Sequence, residues 1–348
     1  MTKSRYKRQI IMEKEVNIKN LRIGITGSTG VVGSRLVEML LSYNADITCL
    51  VRRDSNIGYD KEKVHLVYGD LNDLHALRSF ISSIDVCIHL AAQVNLTKKE
   101  RYHLINVQGT ENICKAIVEL NPGCRLVNCS SIAAYRMTGL IKAQYTNYAK
   151  SKRKADEVVE YYQKHHGLKA ALVIPGMIYG PGKNKFIPTV LNYLQGKNVY
   201  FVSGGEKNAP LTYLDDLCDL FIRVAINKDT DGDRYFAFSC TDTGIHDFIR
   251  MIAERASVNM PAIRKFPKSI LMFRAVVSEY VFNLFNVSRA PKYTKRMVDI
   301  LSINYTLSED QKSNSLGWAP KTDVKTGLKN CFDWYELSGC GNRIEKLF

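Results

Sequence analysis

Acidic residues are in short supply in this 348-residue chain: 34 Asp and Glu stand against 49 Lys and Arg, a formal net charge of +15 at pH 7. Other things are missing altogether. The nine cysteines (Cys49, Cys87, Cys114, Cys124, Cys129, Cys218, Cys240, Cys331 and Cys340) include no CxxC pair and no metal-ligand spacing. That excludes zinc modules and disulfide scaffolds, and thiols set in apolar runs fit the reduced core of a cytoplasmic protein. No apolar run approaches the roughly 18 uninterrupted residues of a membrane span. Met1 to Asn20 is polar and basic with no apolar centre, so no secretory leader is expected there. No internal repeat, low-complexity tract or interleaved aromatic-basic module occurs, and the last of these absences argues against a nucleic-acid partner. The positive excess is patchy. Lys3, Arg5, Lys7, Arg8, Lys14 and Lys19 load the N-terminus; Arg264, Lys265, Lys268 and Arg274 form a second patch with no acid between Pro261 and Ala275. A solvated basic surface accounts for both, with attraction to an anionic ligand or membrane surface as the alternative.

What is present begins with Leu21 to Gly33, LRIGITGSTGVVG. An apolar, β-branched run (Ile23, Ile25, Thr26) ends in Gly27, Gly30 and Gly33, and a helical pattern runs from Val31 through Leu36, Val37 and Leu40. Strand, glycine turn and helix make a dinucleotide site, because the helix N-terminus offers free N–H groups and a positive dipole end to a pyrophosphate. Gly27 permits the tight turn, Gly30 admits the phosphate, Gly33 lets helix and strand pack, and Thr29, Val31 and Val32 complete the segment. Strand-like runs then recur at Ile47–Val51, His65–Tyr68, Val86–Leu90 and Leu126–Cys129. Helical stretches at Leu74–Ile81 and Tyr102–Leu120 separate them. This alternation predicts right-handed crossovers and a doubly wound α/β fold around a parallel sheet.

The expected organisation is a basic arm over 1–20, a dinucleotide-binding domain over 21–175 and a smaller, mainly helical substrate lobe over 176–348. Gly176–Gly182 reads as a loop, Ile187–Leu194 as a helix and Gly204–Pro210 as a turn. Leu211–Leu214 and Tyr235–Phe238 read as strands, so the lobe is expected to return to the sheet at about 211–240. Asp215 and Asp216 sit where a helix start favours acids.

Candidate chemistry clusters at the strand ends. Arg52 and Arg53 follow the second strand and suit the 2′-phosphate of NADP, while Asp54 keeps NAD open. A solvated strand end is the plainer reading. Asp70, before Leu71, is placed either to accept from the adenine amino group or to cap the next helix. His89 reads as a core histidine, and the small residues of Leu90-Ala91-Ala92 leave room for the cofactor. In Tyr148-Ala-Lys-Ser-Lys152, Tyr148 and Lys152 lie one helical turn apart on one face. A free phenol titrates at roughly 10, and a neighbouring ammonium stabilises the phenolate toward neutral pH. Ser130 and Ser131 end the preceding strand, where a hydroxyl can hold a reacting oxygen.

TGSTGVVG, GDL, HLAA, NVQGT, CSSIAAY, YAKSK, PGMIYGPG, PLTYLDDL and LGWAP follow one another from about Leu21 to Tyr335. In order and approximate spacing they resemble the extended short-chain dehydrogenase/reductases of the NAD-dependent epimerase/dehydratase superfamily. The resemblance implies that Tyr148 is the acid/base, Lys152 its partner and Ser131, four residues before Tyr135, the substrate-oxygen donor, with Ser130 structural. Asn106 is similar to the family's helix asparagine, a structural support, and Pro175, Met177 and Ile178 to the segment lying along the nicotinamide. Ile174-Pro175-Gly176-Met177 replaces the Arg-x-Phe-Asn of sugar-nucleotide epimerases and resembles the 3β-hydroxysteroid dehydrogenase and dihydroflavonol reductase branch, with Ile174 in place of an arginine. The resemblance therefore implies hydride transfer between NADP(H) and a ketone or secondary alcohol of a hydrophobic small molecule, in a homodimer. A sugar-nucleotide epimerase, dehydratase or reductase is the alternative, and a non-catalytic NADP-binding sensor a third. Phe266–Val287 resembles that branch's helical cap. Its Lys268, Arg274 and Glu279 exclude a span, and a helix packed on the substrate lobe is favoured over one that meets lipid.

Overall fold

The structure is a computed structural model that describes residues 18, 20–94, 101–135, 147–182, 184, 186–195, 198–202, 209–238, 243–285, 294–302 and 312–338. Most of the basic arm and the expected turn at 204–208 lie outside the described residues, as do Cys240 and Cys340.

Seven strands form one parallel sheet: Arg22–Thr26 (β1), Asp46–Val51 (β2), His65–Tyr68 (β3), Val86–His89 (β4), Arg125–Cys129 (β5), Ala170–Pro175 (β6) and Arg234–Ala237 (β10). Their order is β10-β6-β5-β4-β1-β2-β3. A sheet covered on both faces needs near-continuous apolar strands; RIGIT, DITCLV and AALVIP supply them, buried at nearly every position. Val31–Ser42 (α1) and Leu214–Ile226 (α6) cover one face through Leu36, Leu40, Leu217 and Phe221. On the other face lie Leu74–Ser82 (α2), Gly109–Leu120 (α3) and Asn147–His166 (α4), which contribute Phe80, Ile117 and Val159. The chain order reverses between β4 and β1, so a crevice opens there at the carboxyl ends of the strands.

The second lobe has its own apolar core. It comprises Met177–Tyr179 (β7), Phe186–Leu194 (α5), Asn198–Val202 (β8), Leu211–Tyr213 (β9), Ile245–Arg255 (α7), Ala262–Phe266 (β11), Lys268–Leu284 (α8), Lys295–Leu301 (α9) and Val324–Leu337 (α10). Two expectations need correction. The segment Gly176–Gly182 is not all loop, because it contains β7. β9 pairs with β7 in a separate two-stranded sheet, so only β10 of the 211–240 region returns to the main sheet. Within the mainly helical lobe, β11 pairs in parallel with β8. The GWAP turn ties the lobes together: Trp318 is buried and its indole N–H donates to the Asp216 carbonyl at 3.0 Å.

Candidate active site

The glycine turn is built to tolerances that side chains would break. Gly27 has φ +71°, and a Cβ there would lie 2.6 Å from the Ala91 nitrogen. A Cβ on Gly33 would sit 2.2 Å from the Gly27 carbonyl oxygen, so α1 packs on the turn backbone to backbone. Gly30 occupies the N-cap of α1, with no side-chain cap and no acid in the first turn. By contrast α2 is capped by Asp73, which accepts from the Ala76 N–H at 3.0 Å, and α10 by Asp323. An α1 N-terminus uncapped by side chains, beside a turn in which Gly27 and Gly30 carry no Cβ, fits a pyrophosphate. Tyr59 was not anticipated from sequence: it is buried and donates to Ser28 Oγ at 2.8 Å, tying the β2–β3 connection to the turn.

Arg52 and Arg53 are exposed at the tip of β2. Arg52 lies 3.6 Å from the Asp54 carboxylate, and the Arg53 guanidinium lies 5.9 Å from the centre of the Tyr68 ring. Asp70 does not cap α2; its carboxylate accepts from the Asn72 N–H at 2.7 Å in a local turn, while Asp73 caps the helix. Leu71 turns its side chain into the core beside Gly109, and its carbonyl accepts from Asn112 at 2.8 Å.

His89 at the end of β4 is buried between two threonines, with Thr26 Oγ1 2.7 Å from Nδ1 and Thr110 Oγ1 3.1 Å from Nε2. Thr110 donates to the Asn106 carbonyl at 2.8 Å, so its oxygen is left to accept from Nε2–H while Thr26 donates to Nδ1. Burial, reinforced by the Lys152 charge, pushes this imidazole down to about 3, and it is neutral. It is a structural link, as expected. Beyond it, Leu90, Ala91 and Ala92 line the crevice half-buried.

The reacting set assembles where β5 meets α4. Lys152 is buried, and its Nζ donates to the Cys129 carbonyl at 2.6 Å. Tyr148, one turn earlier, is half-buried with its ring edge-on to Tyr102 at 6.1 Å. Ser131 starts the short turn Ile132–Ala134 and accepts from the Ala133 N–H at 3.3 Å. Asn106 lies in a π-helical segment, His103–Gln108, that leads into α3. Its amide accepts from the Gln93 N–H at 2.7 Å and donates to Ser151 Oγ at 2.9 Å; Ser151 donates to the Tyr148 carbonyl at 2.7 Å. One asparagine thus fastens the loop after β4 to the Tyr148 turn. A π segment at such a point is common in functional helices.

Asp156 also escaped the sequence reading, although its place four residues after Lys152 puts it on the same helix face. It is fully buried and accepts from Ser130 Oγ at 2.5 Å, the Tyr135 hydroxyl at 3.0 Å and Asn128 at 3.3 Å. Burial pushes its pKa up; Lys152 and the bonds from Ser130 and Tyr135 pull it back. Ser130 is therefore bound to structure through Asp156, whereas Ser131 bonds to the backbone of its own turn. At β6, Pro175 is buried and Met177 and Ile178 are half-buried. The Gly176 N–H donates to Thr212 Oγ1 at 2.9 Å and the Met177 N–H to the Pro210 carbonyl at 2.7 Å. The structure thus gathers Gly27–Gly33, Leu90–Ala92, Ser131, Tyr148, Lys152 and Pro175–Ile178 along one sheet edge, with Arg52, Arg53 and Asp70 farther out. No metal-binding group of His, Cys, Asp or Glu occurs among the described residues.

Residues 23–236 match the model of the NAD dependent epimerase/dehydratase family. This chain belongs to that family. Among its relatives is the 3beta-hydroxysteroid-dehydrogenase/decarboxylase isoform 2 of Arabidopsis thaliana, 21% identical across 92% of this chain; the match spans 63% of that relative's length. Another is the N-acetyl-alpha-D-glucosaminyl-diphospho-ditrans,octacis-undecaprenol 4-epimerase of Escherichia coli O157:H7, 25% identical over 89% of this chain and 93% of the relative. The fold is shared with the Bordetella bronchiseptica enzyme WbmF, solved in complex with NADH, at a TM-score of 0.70 and 17% identity, covering 96% of each chain. Membership of an NAD-dependent family and a glycine turn without a side-chain cap both fit a dinucleotide at this edge of the sheet.

Proposed function

We propose that this protein is an NAD(P)-dependent oxidoreductase that interconverts a ketone and a secondary alcohol on a hydrophobic small molecule. One observation carries the reading: Lys152 is anchored on the last carbonyl of β5, Tyr148 stands one turn away, and Ser131 lies on the same strand end with Ser130 held off by Asp156. Gly27, Gly30 and the first turn of α1 would hold the pyrophosphate, and Leu90–Ala92 with Pro175–Ile178 would flank the nicotinamide. When bound, that ring supplies or takes the hydride. Ser131 holds the substrate oxygen, Tyr148 gives or takes its proton, and the Lys152 charge favours the phenolate form. NADP is the preferred dinucleotide, because two exposed guanidinium groups stand at the ribose end and Asp54 is paired with one of them. The hydrophobic substrate is supported by the relatives' names, since a steroid and an undecaprenol-linked sugar are both carried on apolar bodies. A sugar-nucleotide substrate draws its support from solved structures of the same fold bound to UDP-glucose and UDP-glucuronic acid, which at 20% identity share the fold alone.

The deciding experiment is single-turnover hydride transfer followed by NADPH absorbance, over a panel of steroid and other apolar ketones. Tyr148→Phe removes the hydroxyl and keeps the ring, so folding should hold while the rate falls by about 10²–10⁴. Transfer by Tyr148→Phe at the wild-type rate would overturn the mechanism.

A further inference from the structure

Helix α8 is apolar on two opposite faces. Leu271 and Ala275 point inward and are buried in the second-lobe core. On the other side Ile270, Phe273, Val277, Tyr280 and Leu284 stand between 44% and 70% exposed. Spacings of three, four and seven place these side chains in one stripe along the helix. A helix that packs only on its own lobe buries one stripe and offers polar residues to water, so packing on the lobe explains half of α8. A contiguous exposed apolar face of this kind marks a surface that something covers.

The charge around the stripe says what. Between Pro261 and Val298 the described side chains include the basic Arg264, Lys265, Lys268, Arg274 and Lys295, and the sequence there has a single acid, Glu279. Glu279 does not offset the patch at the exposed face: its carboxylate accepts from the Lys295 backbone N–H at 2.8 Å and lies 3.5 Å from the Lys295 Nζ. Arg264, Lys265 and Arg274 are exposed, on β11 and at the flank of the stripe. A second copy on this face would bring basic rims together. The outer face of a helix is convex and offers no pocket into which a rigid partner would lock, whereas fluid acyl chains fit any convex apolar surface. We propose that α8 is a peripheral docking element that lays its outer face on an anionic lipid bilayer, with the apolar stripe among the acyl chains and the basic rim on the headgroups. No described helix is long and apolar enough to cross a membrane, so the contact lies in the interface plane. The inference does not rest on the proposed chemistry, because lipid binding is read without substrate.

The test is flotation of the full chain with vesicles of phosphatidylcholine alone and of phosphatidylcholine with phosphatidylserine. The wild type should float with the anionic vesicles and fall away as added salt shortens the screening length. The variant Phe273→Ser/Tyr280→Ser/Leu284→Ser should lose at least tenfold in partitioning, as should Arg264→Gln/Lys265→Gln/Arg274→Gln on anionic vesicles. Both should keep wild-type NADPH affinity, which reports an intact fold. Independently, Phe273→Trp should show a blue-shifted emission on anionic vesicles. The proposal is overturned if the wild type stays in solution with anionic vesicles or the serine variant floats equally. It is also overturned by an unshifted Phe273→Trp emission, by partitioning indifferent to lipid charge and salt, or by self-association in solution that the serine variant abolishes.

Discussion

His89 owes its neutrality to place rather than to type. An exposed histidine titrates at about 6.5, whereas this one is held at about 3 by burial. The unfolded chain therefore takes up the proton first as pH falls. The stabilisation is complete above about pH 6.5 and is lost progressively toward pH 3, at about 1.4 kcal/mol per pH unit. Urea unfolding between pH 7 and pH 4 should show this slope, and His89→Gln should remove about one proton's worth of it; an unchanged slope would assign the pH dependence elsewhere. Asp156 is the opposite case, a carboxyl whose pKa burial raises. Its value lies in the three donors it satisfies. Asp156→Ala should cost about 3 kcal/mol of stability in urea, because Ser130, Tyr135 and Asn128 are left without their acceptor. Asp156→Asn keeps one acceptor oxygen and should cost about 1 kcal/mol. Equal losses in the two variants would show that packing, not hydrogen bonding, sets the cost.

Elements divide by how local their causes are. The β1–turn–α1 unit is legible because the positive φ of Gly27 and the contacts of Gly30 and Gly33 with Gly27 and Ser28 are local, although Ala91 crowds Gly27 from the end of β4 as well. The tip of β2 is equally local, and the proposed cofactor preference rests on it. NADPH should bind more tightly than NADH, since a guanidinium pairs bidentately with a 2′-phosphate. Arg52→Ala/Arg53→Ala should weaken NADPH by about tenfold or more and NADH little. Fluorescence titration giving equal wild-type affinities would defeat the preference. By contrast β7 spans only Met177–Tyr179 between glycine-rich ends, and it exists because β9 pairs with it from more than thirty residues away. The AIRKF strand carries two adjacent charges, a pattern that an edge of a two-stranded sheet tolerates and a buried strand would not.

For the whole molecule the open quantity is assembly. Helices α3 and α4 pack side by side, and Leu104, Leu120 and Tyr161 remain exposed on or just before them. We propose that these two helices form an isologous contact with the same pair of a second copy, a C2 dimer. Light scattering at micromolar concentration should give twice the 39.5 kDa chain mass, and Tyr161→Arg should return it to one chain. A single-chain mass for the wild type would count against the contact. It would use a face other than the stripe of α8, so dimer and lipid surface need not compete.

The sequence alone determined the doubly wound sheet, the glycine turn and the pairing of Tyr148 with Lys152. Each follows from periodicity or spacing inside one or two elements, and such causes are written in consecutive residues. The family resemblance also separated Ser131 from Ser130, through the four-residue step to Tyr135. Tertiary structure supplied the reason, because Asp156 arrives from α4 to claim Ser130, and no local pattern announces a buried carboxylate's partners. It likewise decided that Asp73 caps α2 in place of Asp70, and that β9 leaves the main sheet for β7. The outer face of α8 was a tertiary decision as well. An apolar run does not say which of its faces the core will take, and that depends on how much surface the rest of the lobe can cover.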